Sequence, residues 1–129
     1  MNRLCIICCL LFFFLPSCKD TGTSHNRLYL GTFAYKASDT LEVVVAQGNI
    51  TLYTDNSKVT GYWRFDDGRS GELAGTASNG NIALNLNPRF VDNNLILQGI
   101  LSGDTLAGNW QQIGFPGVTA GTFLAVRKQ

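Results

Sequence analysis

From residue 28 to the C-terminus, large apolar residues and glycines recur at every second position, and this period of two constrains the fold more than any other property of the chain. Tyr29, Gly31, Phe33 and Tyr35 alternate with Leu30, Thr32 and Ala34, and the next run sets Leu41, Val43 and Val45 against Glu42, Val44 and Ala46. The alternation returns in Ile50, Leu52; Val59, Gly61, Trp63, Phe65; Leu73, Gly75, Ala77; and Ile82, Leu84, Leu86. It continues through Leu95, Leu97, Gly99, Leu101; Leu106, Gly108, Trp110; and Gly121, Phe123, Ala125. Nine candidate strands result, and no stretch of this region has the three- and four-residue spacing of an amphipathic helix.

Short turn signals separate these runs: Gln47-Gly48-Asn49, Asp55-Asn56-Ser57, Asp66-Asp67-Gly68, Asn79-Gly80 and Gly103-Asp104. Asn79-Gly80 has the chemistry of a two-residue type I′ turn, where both central residues take positive φ. Pro88 and Pro116 fall in two longer loops, where a missing N–H costs no ladder bond.

Gly31, Gly61, Gly75, Gly99, Gly108 and Gly121 share a face with the large apolar residues. A sheet coiled tightly around its own interior needs such breaks on its concave side, which favours a closed barrel over a flat sandwich. Consecutive hairpins then give up-and-down order. The expected fold is all-β, an antiparallel up-and-down barrel of eight to nine short strands over residues 28–129. An internal echo fits this architecture: Val59-Thr-Gly-Tyr-Trp63 returns as Leu106-Ala-Gly-Asn-Trp110, with Gly-Thr pairs following at Gly75 and Gly121. The body so described is similar to the small meander barrels of the calycin group, the lipocalins, fatty-acid-binding proteins and avidins. The similarity is one of architecture, because the Gly-x-Trp that lipocalins carry on their first strand is Gly31-Thr32-Phe33 here.

The N-terminus has a different texture. Arg3 precedes an unbroken apolar run from Leu4 to Leu15, 12 residues long, and Ser17 and Cys18 follow Pro16. A membrane span needs roughly 20 residues, so this is the pattern of an export signal. Leu15, Ser17 and Cys18 resemble the lipobox of bacterial lipoproteins, with Pro16 standing where Ala, Ser or Thr is usual. The resemblance implies a signal peptide at 1–17, removed just before Cys18, and acyl chains on Cys18, with palmitate a common one. Lys19 rather than Asp after the cysteine implies the outer membrane in preference to the inner. Two acyl chains anchor a protein stably where one does not. Residues 19–27 hold no apolar side chain to order them and extend the anchor into a tether, residues 18–27 in all.

Cleavage would remove Arg3 with Cys5, Cys8 and Cys9, leaving nine basic against nine acidic side chains and no cysteine besides Cys18. A neutral body has no surplus to hold nucleic acid, and a lone lipidated cysteine forms no disulfide.

Chemistry is sparse. His25, the only histidine, lies in the tether, so no Ser-His-acid arrangement is possible within the barrel. The turn Asp66-Asp67-Gly68-Arg69-Ser70-Gly71-Glu72 gathers three carboxylates without the alternate spacing of a calcium loop. No metal, no cofactor and no enzymatic activity are expected. Trp63 and Trp110, with Phe33, Phe65 and Phe123, face the barrel interior, where they either line a site for an apolar or ring-bearing ligand or pack the core. Two functions follow: a membrane-anchored module binding a small apolar ligand or lipid, or a packed barrel working through its surface as a structural, adhesive or inhibitory module. Interior volume separates them, since ligand pockets run to roughly 300–1,000 Å³.

Overall fold

The computed structural model describes residues 26–114 and 117–129. The signal at 1–17, Cys18, the tether up to His25, and Pro116 lie outside the described residues. Eight strands follow in order: β1 Leu28–Asp39, β2 Val44–Asp55, β3 Lys58–Phe65, β4 Ser70–Ser78, β5 Asn81–Asn85, β6 Asn94–Ser102, β7 Thr105–Gly114 and β8 Gly117–Arg127. Each pairs antiparallel with the next, and β8 returns to β1 from Phe33↔Arg127 to Asp39↔Gly121, closing the sheet. The expected all-β up-and-down barrel is therefore what forms. Among the described residues, every ladder and the buried core fall within 28–127, so this stretch holds the closed sheet together with the core it encloses.

The count is eight because two of the nine candidate strands are one. Gln47-Gly48-Asn49 is not a turn but the middle of β2, with Gly48 paired to Tyr35 on one side and Phe65 on the other. A Cβ at Gly48 would run into the backbone of Arg64, so this glycine serves close strand approach. The real link lies at 40–43. There the Asp39 carboxylate accepts the backbone N–H of Leu41 (2.8 Å) and of Val43 (2.9 Å), and Glu42 takes a φ of 64°. Ala46, Ile50 and Leu52 face inward, which leaves Val43 and Val45 outside. A second correction concerns the start of β1, where a bulge between Tyr29 and Gly31 shifts the register. Leu30 consequently packs on the core, while Tyr29 is turned out against Tyr53.

The other links match their residue types. Asn79 and Gly80 take φ of 52° and 82°, as a type I′ turn requires, and Gly103 alone is positive at 58° in the next tight turn. Pro88 sits in the longer β5–β6 link.

Strand coiling depends on Gly61, whose Cβ would collide with the Thr51 carbonyl across the ladder. Inside, Phe33, Ile50, Leu52, Val59, Leu84, Leu97 and Leu106 are almost wholly buried and fill the middle of the barrel. Arg127 closes one end, its guanidinium 5.4 Å over the Phe33 ring and 2.9 Å from the Asp104 carboxylate. Residue 26 enters at this end. The links 40–43, 66–69 and 86–93 surround the opposite end.

Candidate ligand site at the open end

The two tryptophans are struts. Trp63 on β3 lies across Gly71, its partner on β4, and donates its indole N–H to the Leu86 carbonyl just past β5 at 2.7 Å. Trp110 on β7 lies across Gly121, its partner on β8, and donates to the Ser38 carbonyl of β1 at 2.8 Å. Each indole thus spans one strand to tie its neighbours together, and the Trp110 strut crosses the seam where the sheet closes. The glycine equivalent to Gly121 is Gly71, not the Gly75 suggested by the Gly-Thr pairs. Gly75 pairs with Val59 instead.

Above the filled middle, a cup of about 640 Å³ opens between the links. Its inward walls include Tyr35 and Ala37 of β1, Phe65 at the end of β3, Leu95 of β6, Trp110 of β7 and Thr119 of β8. Of the aromatic residues expected to line a ligand site, Phe65 and Trp110 do so. Phe33 is wholly buried beneath Arg127, in the filled part of the barrel. Trp63 and Phe123 back the cup from behind: Trp63 packs on Phe65 (ring centroids 4.5 Å) and Phe123 on Tyr35 (5.9 Å).

Tyr35 is the residue that changes the chemistry. Its ring stacks almost parallel on Phe65, 8° between planes and 5.5 Å between centroids. Only 3% of the residue is exposed, and its hydroxyl has no hydrogen-bond partner in the protein. Burial pushes the phenol's ionisation well above its ordinary value of 10.0, so it remains a neutral donor and acceptor. Buried hydroxyls are nearly always paired, which makes this one an exception, and the cup's lining holds further polar residues in Thr40, Gln112 and Thr119.

The rim is acidic. Asp39, Glu42, Asp66, Asp67 and Asp92 stand in or beside the links, against Arg69 and Arg89. Arg69 donates to Asp67 at 2.7 Å and Arg89 to Glu72 at 2.7 Å. Of the three carboxylates grouped in sequence at 66–72, Asp67 and Glu72 thereby take different partners. The backbone N–H of Arg69, followed by its guanidinium, holds the exposed Asp67 carboxyl below the usual range. Among the described residues, no group of three or more His, Cys, Asp or Glu side chains is placed to hold a metal. Leu41, Val43, Phe90, Val91 and Val118, all in or beside these links, are more than half exposed.

Sequence reasoning placed Tyr35 on the inward face without singling it out, and passed over Leu95 and Thr119. The available signal was a phenol among purely apolar inward positions near the end of a strand. Comparison of the chain with protein-family models, with curated proteins and with solved structures returns no match.

Proposed function

We propose that this protein is a lipid-anchored binding module, without catalytic activity, that holds a small apolar ligand or lipid in the cup at the open end of its barrel. The observation that carries the reading is the cavity of about 640 Å³ walled by Tyr35, Phe65, Leu95 and Trp110, within the size range of ligand pockets. The exposed Leu41, Val43, Phe90 and Val91 around the opening would ease the passage of an apolar molecule. The anchor is proposed at Cys18, in the outer membrane. With the tether joining the opposite end, the cup would face away from that membrane.

Native mass spectrometry of residues 26–129 after incubation with a bacterial lipid extract tests the binding. A retained small molecule is the expected result, and repeated recovery of the bare polypeptide would sink the reading. The anchor has its own test: labelled palmitate should enter the wild-type protein and not Cys18→Ala, and equal labelling of the two would refute it.

A second reading, a barrel acting through its surface, draws on the filled middle and on exposed Phe90 and Val91 in one link. Crosslinking in intact cells should then recover a protein neighbour that Phe90→Asp/Val91→Asp loses. Recovery of no neighbour would count against it.

A further inference from the structure

Strands β6, β7 and β8 turn Leu97, Leu106, Trp110, Phe123 and Ala125 into the core, so the residues alternating with these point out of the barrel. Each strand has five such outward positions, within 94–102, 105–113 and 118–126, and none of the fifteen carries a charge. The neighbouring β5 adds only Asn81, Ala83 and Asn85. The outer faces of β1, β3 and β4, by contrast, carry Lys36, Lys58, Arg64 and Glu72. Among the amides and small residues of the uncharged wall stand five large aliphatic side chains, Ile100, Ile113, Val118, Leu124 and Val126, each between 42% and 60% exposed.

The register lays these side chains out in rows. Ile100, Ala107 and Leu124 are direct partners across the three strands, with Val126 next to Leu124 on the same face. The adjoining row is Gln98, Asn109 and Thr122, and toward the other end Ile113 pairs with Val118. Charge returns at the margins: Lys36 is the β1 partner of Leu124, and the Arg127–Asp104 ion pair stands at one end of the wall. Protein–protein contacts have this anatomy, a centre depleted of charge inside a polar margin, because a charge desolvated at the centre without a partner is costly. Aliphatic groups left exposed together on one such wall mark a place of association.

We propose that this wall joins two copies of the chain about a two-fold axis, independently of what the cup holds. A partner with charges at its own contact would bury them against a wall that has none to pair them, whereas a second copy brings the same uncharged wall. With the axis along the barrel, rows at the same height meet, aliphatic on aliphatic, and Gln98 and Asn109 on their counterparts; an amide both donates and accepts, so these rows are complementary to themselves. Both chains then enter their barrels from the same side, as two copies tethered to one membrane would. Three strands make a strip about 10–15 Å wide, as much of a curved wall as one neighbour meets. Its fifteen positions fall short of the roughly 20–30 residues a side of a standard interface, so a dissociation constant on the order of 10 µM is expected.

Sedimentation velocity of residues 26–129, which hold every ladder and the core, should show monomer giving way to dimer between about 2 and 200 µM, either side of that constant. Ile100→Lys/Leu124→Lys places two cations in one row at exposed positions and should weaken association at least tenfold by setting like charges against each other. Thr122→Arg, in the adjoining row, should do the same, and Arg64→Glu on the charged wall should leave the dimer as it is. Near-UV circular dichroism checks that each variant keeps its fold. In the full chain, benzoylphenylalanine in place of Leu124, irradiated in intact cells, should give an adduct of twice the chain's mass, and the same group in place of Arg64 should not. A monomer over the whole concentration range, or a dimer that both wall variants leave intact, would overturn the proposal. So would an adduct from position 124 that is missing or that joins a different protein.

Discussion

Tyr35→Phe should make the empty barrel more stable. The substitution keeps the parallel contact with Phe65 and the tilted contact with Phe123, so packing is conserved and only the hydroxyl leaves. A buried hydroxyl without a partner costs about 1–3 kcal/mol. The hydroxyl oxygen is sealed from solvent, so a gain of about 1 kcal/mol or more is expected, each 1 kcal/mol raising the melting temperature by about 4–8 °C for a domain of this size. Urea denaturation of residues 26–129 measures it, with the midpoint rising and the m-value unchanged. A second readout comes from pH. Above the phenol's ordinary value of 10.0 the unfolded chain ionises Tyr35 while the folded chain retains the proton. The unfolded state then binds fewer protons, and stability declines as pH rises through the alkaline range. Tyr35→Phe should remove that part of the decline. A midpoint that falls on substitution, or an alkaline slope identical to wild type, would show that the hydroxyl is satisfied within the protein and that the reasoning about its burial is wrong.

Trp63→Phe and Trp110→Phe should each cost about 2–3 kcal/mol by urea denaturation, since the first loses an indole N–H shared between the Leu86 and Glu72 carbonyls, the second its bond to the Ser38 carbonyl, and each part of its buried volume. If the struts are equivalent the two losses agree closely; a Trp110 loss near zero would mean the seam closes without it. Gly61→Ala should cost about 3 kcal/mol or prevent folding, because the added Cβ meets the Thr51 carbonyl, and a near-neutral result by the same assay would refute the close approach. The Asp67 carboxyl should titrate below its ordinary value by NMR. Its small stabilising effect would be present above the ordinary carboxylate value and lost as pH falls through the lowered one. Arg69→Ala should raise that midpoint, though less than fully, because the backbone N–H of residue 69 remains.

The barrel was legible in the sequence because period-two alternation and face-sharing glycines are direct consequences of a coiled, closed sheet. What misled was glycine's double use. Gly48 between Gln47 and Asn49 has the composition of a turn, yet it sits in mid-strand because the backbone of Arg64 comes too close for a Cβ. The true turn at 40–43 has no glycine and is made by the Asp39 carboxylate, whose reach to two backbone N–H groups depends on three-dimensional placement. Similarly, Leu41, Val43 and Val45 have the right period but not the inward face, because Val occurs on both sides of β2 and alternation alone does not choose between them. The site was half legible. Inward aromatics were identifiable, but whether each meets core or cavity depends on its height in the barrel, and that divides Phe33 from Phe65.

The internal echo separates the Tyr35 hydroxyl from the needs of the fold. Trp63 with Gly71 and Trp110 with Gly121 occupy hairpins four strands apart, and their indoles reach the ends of β5 and β1 at the same rim. In this arrangement β5 stands opposite β1, and its inward positions are Ile82, Leu84 and Leu86, all buried and apolar. One half of the barrel therefore closes its upper wall with hydrocarbon alone. The other half places a phenol there and leaves its oxygen unpaired. A scaffold that closes without a hydroxyl at β5 does not require one at β1, so the cost carried by Tyr35 is not a cost of forming the fold. That cost is what Tyr35→Phe removes, while the ring contacts with Phe65 and Phe123 stay in place.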